Sequence, residues 1–171
     1  MDRRKRKTQK GIIEAFTTLL IKKEFDEISV SEISEKADIS RGTFYLNFLD
    51  KNDLLERCVS DQVDALANYC KEQTAESESS TALRTTFDYI NDHKKKLKKL
   101  FLADNQGFFK KYLTGYIVEV LADVNQEADD DLTHLFIANG ILGLLEYFLT
   151  IPDVSTDKVV ESLEQITRKL A

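Results

Sequence analysis

Residues 29–55 read SVSEISEKADISRGTFYLNFLDKNDLL, and the alternation of small polar and apolar residues along this stretch decides the fold. Ser29 can cap a helix, and Glu32, three residues on, can reach back to the Ser29 amide, which is the pattern of a capping box. The helix so opened runs through Ala37, with Ile33 and Ala37 inward. Asp38-Ile39-Ser40 then breaks the period: Asp38 tolerates a left-handed turn and Ser40 is a second N-cap, so another short helix starts at Arg41. Helices this short are unstable alone. They need a shared core, for which Val30, Ile33, Ala37, Ile39, Phe44 and Phe48 supply the side chains. Two short capped helices around a tight turn predict a helix-turn-helix over about residues 29–48.

Upstream, Ile12, Ile13, Phe16, Leu19 and Leu20 fall on one face and predict an amphipathic helix over 6–23. Downstream, Leu54, Leu55, Cys58, Val59, Val63, Leu66, Ala67 and Cys70 mark a long helix able to act as a strut. Residues 74–81 are small and polar and read as a linker. Beyond it the periodicity places helices at about 82–92, 94–103, 107–124, 130–150 and 156–169, with Thr81, Gln106 and the run Asp129-Asp130-Asp131 at their starts. With 6 glycines and 1 proline in 171 residues, the turn economy of a β protein is missing and the chain reads as all α. The expected organisation is a three-helix domain with the helix-turn-helix at 1–57 and a helical bundle at 58–171.

Charge supports that division. The net charge is −6, yet residues 1–11 carry six bases (Arg3, Arg4, Lys5, Arg6, Lys7, Lys10) against Asp2. Residues 1–57 hold 12 bases and 11 acids, a balance of +1, which leaves −7 for residues 58–171. The first module suits phosphate and the remainder does not.

The motif Arg41-Gly42-Thr43-Phe44-Tyr45-Leu46-Asn47-Phe48, followed by Lys51 and Leu54-Leu55 and preceded by the capped helix, resembles the DNA-binding module of the TetR family over residues 6–57. Its positions make physical sense as a reading helix. Ser40, Arg41, Gly42 and Thr43 form the first turn, which can enter the major groove. There Arg41 can donate a fork to guanine, Thr43 can touch a thymine methyl or a phosphate, and Gly42 lets the backbone come close. The resemblance implies that Tyr45, Asn47 and Lys51 hold phosphates, and Ser31 is a further contact candidate. Asn47 stands where the family usually has His, and Glu24 and Asp38 stand where turn glycines are common. The resemblance further implies a homodimer on double-stranded operator DNA, a repressor released by an effector, with a protein co-regulator or an activator as the alternative.

For the larger domain, Phe101-Leu102-Ala103-Asp104-Asn105 to Phe109, with Ile137 to Gly143 and Tyr147, is similar to the regulators related to the dihydroxyacetone kinase operon activator. An aromatic excess at Phe87, Tyr89, Phe101, Phe108, Phe109, Tyr112 and Tyr116 is the expected effector pocket. Helix 130–150 is apolar over more than one face, so Leu142, Leu145 and Leu149, with Val160 and Leu163, are the expected dimer contacts, with Gly140 and Gly143 allowing close approach. The lysine run from His93 to Lys99 reads as a solvated helix face, and His134 as a capping feature.

Other classes lack support. His93 and His134 are the only histidines, and no GxSxG, phosphate loop or paired carboxylates occur, so no catalytic or metal-binding set is expected and no cofactor. Cys58 and Cys70 read as reduced thiols, with an oxidation switch as a minor alternative. No stretch is expected to reach the roughly 18 apolar residues of a membrane span and no secretory signal is expected, so the cytoplasm is the expected location.

Overall fold

The computed structural model describes residues 3–74, 79–124 and 131–170, and among them every regular element is helical. The order is α1 (Arg3–Leu20), a 3-10 turn (Phe25–Glu27), α2 (Val30–Lys36), α3 (Arg41–Tyr45), α4 (Lys51–Thr74), α5 (Ser79–Asp92), α6 (Lys94–Ala103), α7 (Phe108–Val124), α8 (Asp131–Thr150) and α9 (Thr156–Leu170). Helix α1 begins three residues earlier than its apolar period suggests, so the basic arm is itself helical and its bases at 3–7 are exposed. Helix α5 begins at Ser79, within the polar stretch read as a linker; residues 75–78, like Asp129 and Asp130, lie outside the described residues.

The two short helices form as their caps dictate. The Ser29 Oγ accepts from the Glu32 amide (3.2 Å) while the Glu32 carboxylate accepts from the Ser29 amide (3.0 Å). Asp38 takes up the left-handed turn at φ 53°, and the Ser40 Oγ accepts from the Thr43 amide (3.1 Å) to open α3. Asp50 opens α4 by accepting from the amides of Asn52 and Asp53. At the start of α7 the capping residue is Asp104 and not Gln106: its carboxylate accepts from the amides of Phe108 (2.9 Å) and Phe109 (2.7 Å). Gly107, at φ 78°, supplies the left-handed turn that lets Asp104 reach them.

Packing joins head and bundle. Helix α2 rests on α1 and α3, while α4 packs against α1, α5, α6 and α7. Helices α7 and α8 pair, α9 lies on α5, and α6 touches α1 as well as α8. One apolar core runs from Ile12 and Phe16, through Phe44, Leu54 and Val59, to Phe148 and Leu163. Helix α4 passes without a break through residues 57 and 58, so the expected domain boundary falls inside a 24-residue helix.

Candidate nucleic-acid interface

Helix α3 is held by one side and leaves the other free. Phe44 and Phe48 are buried, with their ring centroids 5.9 Å apart. Arg41 and Gly42 are exposed on the first turn, and no ion pair engages Arg41 among the described residues. Tyr45 stands half exposed with its ring edge-on to Phe44 at 5.4 Å, so its hydroxyl end is open to a partner. Ser31 is exposed on the first turn of α2. Thr43 is partly buried and its hydroxyl lies 2.9 Å from that of Ser40, so both hydroxyls are already engaged at the cap.

Two of the expected phosphate contacts are turned inward. The Lys51 ammonium donates to the carbonyl oxygens of Phe25 (3.0 Å), Asp26 (3.4 Å) and Ile28 (3.4 Å) and sits 4.4 Å from the Phe25 ring centroid. An ammonium has three N–H donors, and here each has a main-chain acceptor. Lys51 therefore ties the α1–α2 connection to α4. Asn47 spends an amide hydrogen on the Thr43 carbonyl (2.8 Å), while its Oδ1 is buried without a hydrogen-bond partner among the described residues.

The α1–α2 connection is built without a glycine because none is needed. Glu24 lies at φ −74° in extended backbone, where any residue is comfortable, and forms a capping box with Glu27. Its carboxylate also accepts from Lys99 of α6 at 2.8 Å, a link between head and bundle that nothing in the sequence pattern announced. The lysine run is likewise no solvated face: Lys98 donates to the Thr150 carbonyl at the end of α8 (3.3 Å), and Lys94 lies 4.3 Å from the Phe148 ring centroid.

Glu32 gives the head a pH signature. The hydrogen bond from Lys23, with those from Ser29, holds its carboxyl at about 2, against an ordinary value of 4.5. A carboxyl depressed in the folded state stabilises fully above its unfolded value and loses that contribution as pH falls toward the folded one. In thermal melts, Glu32→Gln is therefore expected to fall below the wild type by a constant margin above about pH 5, with the margin closing between pH 4.5 and 2. A margin that does not change with pH would show that the pairing contributes nothing.

In the bundle the expected pocket is mostly filled. Phe87, Phe108 and Phe109 are buried; Phe87 meets Phe148 edge-on at 5.7 Å and Phe101 meets Phe109 at the same distance. Tyr89 stacks on Tyr69 at 4.4 Å. Tyr112 and Tyr116 border a cleft of about 580 Å³ between α4 and α7, shared with Val63, Asn68, Lys71 and Lys111. The Tyr112 hydroxyl donates to Glu56 of α4 (2.6 Å), which also takes Lys111 (3.2 Å). These two donors hold the Glu56 carboxyl below its usual range.

The expected dimer contacts belong to the chain's own core. Leu142, Leu145, Leu149, Val160 and Leu163 are all 8% exposed or less. Helix α8 is apolar all round, and the face left open carries Leu132 (76% exposed), Phe136 (72%), Gly140, Gly143 and Tyr147. This composition makes Leu132–Thr150 long and apolar enough to pass for a membrane span, against the sequence expectation. His134, read as a capping feature, is instead buried on α8. The cysteines offer no ready switch: burial pushes the Cys58 thiol up to about 12, and twelve residues of helix put Cys70 about 18 Å away.

A basic helical arm and a capped pair of short helices, the second anchored by its inner face, define a helix-turn-helix protein of the DNA-binding class. Residues 12–58 match the family described as bacterial regulatory proteins, tetR family. The chain is 30% identical over 131 residues to the transposon Tn10 TetC protein of Escherichia coli, covering 70% of this chain and 66% of that protein. Among solved structures, Lin0861 from Listeria innocua superposes with a TM-score of 0.74 at 19% identity, over 100% of this chain and 94% of that one. The dihydroxyacetone kinase operon activator DhaS superposes with a TM-score of 0.64 at 25% identity, over 93% of each. The chain belongs to the TetR family, and its first helices are that family's DNA-binding module.

Proposed function

We propose that the protein is a homodimeric transcription regulator of the cytoplasm that grips a near-palindromic operator with two copies of α3, one per half-site. The observation that carries this reading is the outer face of α3, where Arg41, Gly42 and Tyr45 stand open while Phe44 and Phe48 fix the helix from behind. The exposed bases of the α1 arm add phosphate attraction. Ser31 completes the contact set, Ser40 and Thr43 shape the first turn, and Lys51 and Asn47 act by holding the head together. A two-fold dimer requires half-sites one helical turn, or a multiple, apart. Selection from a pool of random duplexes, followed by fluorescence anisotropy across salt concentrations, tests it: a near-palindrome with that spacing is expected. Equal affinity for all duplexes would overturn it.

The open face of α8 supports the dimer. A Cβ added at Gly140 or Gly143 would meet nothing within 4 Å, so the monomer fold has no steric need for either glycine. A second copy of α8 approaching closely would.

Regulation is assigned to the α4–α7 cleft. A small, partly apolar effector seated on Tyr112 and Tyr116 competes with Glu56 for the Tyr112 hydroxyl and the Lys111 ammonium, which alters the seat of α4. Such a ligand acts only by binding one spacing of the two heads better than the other. In the simplest case it releases a repressor. A thermal-shift screen with parallel operator titration is expected to find a compound that raises the melting temperature, changes operator affinity, and loses both effects in Tyr112→Phe. A stabilising compound that leaves operator affinity unchanged is not the effector; a co-purifying protein that changes it would shift the assignment to a partner.

A further inference from the structure

Leu46 is 79% exposed, an unusual position for a leucine beside two buried phenylalanines. Its placement follows from the helix. The amides of Leu46 and Phe48 bond to the carbonyls of Gly42 and Phe44, so the helical path continues past Tyr45 and sets Leu46 one turn above Gly42. Side chains on a helix lean toward its N-terminus, so the turn next to the Leu46 side chain is the one that carries Gly42, four residues before it. Gly42 itself has no role in the free fold: a Cβ there would meet only the Ser40 Oγ, at 3.7 Å. Glycine weakens a helix relative to alanine, and an exposed leucine gains nothing from water. Both costs fall on one face of α3, beside Arg41 and Tyr45.

We infer that Gly42 and Leu46 form an apolar notch that reads a thymine methyl group in the major groove, making Leu46 a specificity-determining residue. The inference rests on the proposal that α3 reads operator DNA. In the major groove the thymine C5-methyl is the apolar mark that distinguishes a base pair, and a side chain without donors or acceptors can recognise nothing else there. Arg41 then reads by hydrogen bond and Leu46 by shape, from the two ends of the same short helix.

The test is a mutant cycle on the selected duplex, with single thymines replaced symmetrically in both half-sites by deoxyuridine, which removes only the methyl. Burying one methyl is worth about a factor of four in affinity, so the wild type is expected to lose roughly fifteenfold when the contacted thymines of both half-sites are replaced. Leu46→Ala should bind the thymine and deoxyuridine duplexes equally and match the wild type on the latter. A methyl effect that persists in Leu46→Ala overturns the inference, as does one that vanishes instead in Leu49→Ala, a second leucine between α3 and α4 that is 83% exposed. If the wild type prefers no duplex over random sequence, the reading of α3 as a DNA-contacting helix fails first and the notch with it. Since Leu46 is exposed, unchanged thermal melting of Leu46→Ala separates lost contact from lost fold.

Discussion

Phe136→Asp is expected to leave the protein folded but monomeric at micromolar concentration, and to raise the dissociation constant for the two-fold operator by about a hundredfold or more. Phe136 is 72% exposed at the centre of the open face of α8, flanked by Leu132, Gly140, Gly143 and Tyr147. A carboxylate there meets its own copy across a two-fold axis, where both desolvation and repulsion oppose association. Loss of the dimer makes the two half-sites independent targets, and linking two binding events is commonly worth 10² to 10⁴ in affinity. The contrast is Leu142→Ala on the opposite side of the same helix. That residue is buried in its own subunit, so its truncation should cost about 2 to 5 kcal/mol of stability while leaving the folded fraction dimeric. Sedimentation velocity separates the two: a dimeric Phe136→Asp would place the interface elsewhere.

Arg41→Ala is expected to cost about 1 to 3 kcal/mol of operator affinity and to flatten the preference at one base pair per half-site, guanine by chemistry, without changing thermal stability. Arg41 is exposed at the start of α3, and the Ser40 cap bond that sets the helix does not involve its side chain. Lys51→Ala should behave differently. Its ammonium serves three main-chain carbonyls between α1 and α2, so the variant should melt at lower temperature and bind all duplexes less well without changing their ranking. If Arg41→Ala retains both affinity and preference, α3 is not the reading helix.

The head was legible in the sequence because its signals are local. The caps made by Ser29, Glu32 and Ser40 and the turn at Asp38 need only residues within three of themselves, and each forms in the structure as its side chain predicts. Contacts between distant segments were not legible. Lys51 has the charge of a phosphate ligand, and only the folded path of the α1–α2 connection shows three carbonyls converging on it. The Glu24–Lys99 pair spans 75 residues and follows no local pattern. Helix α8 failed for another reason: periodicity locates a core face only when the other face is polar. With apolar residues all round, both Leu142 and Phe136 qualified, and the neighbours decided that Leu142 turns inward. The aromatic residues of the bundle posed the same ambiguity, since rings that pack on each other and rings that line a cavity share one composition.

Helix α4 extends for 24 residues, about 36 Å, from the anchor of Lys51 to the helices that border the cleft. A rod of that length works as a lever. Tilting it by about 5° around its far end carries the near end through about 3 Å, close to the rise of one base pair along the duplex. The head need not change shape to lose its grip. Two reading helices that each drift by a single base-pair step in opposite senses no longer match half-sites of fixed separation, so a displacement of a few tenths of an ångström beside Lys71, at the end of the cleft nearest the pivot, is magnified along the shaft into a mismatch of register.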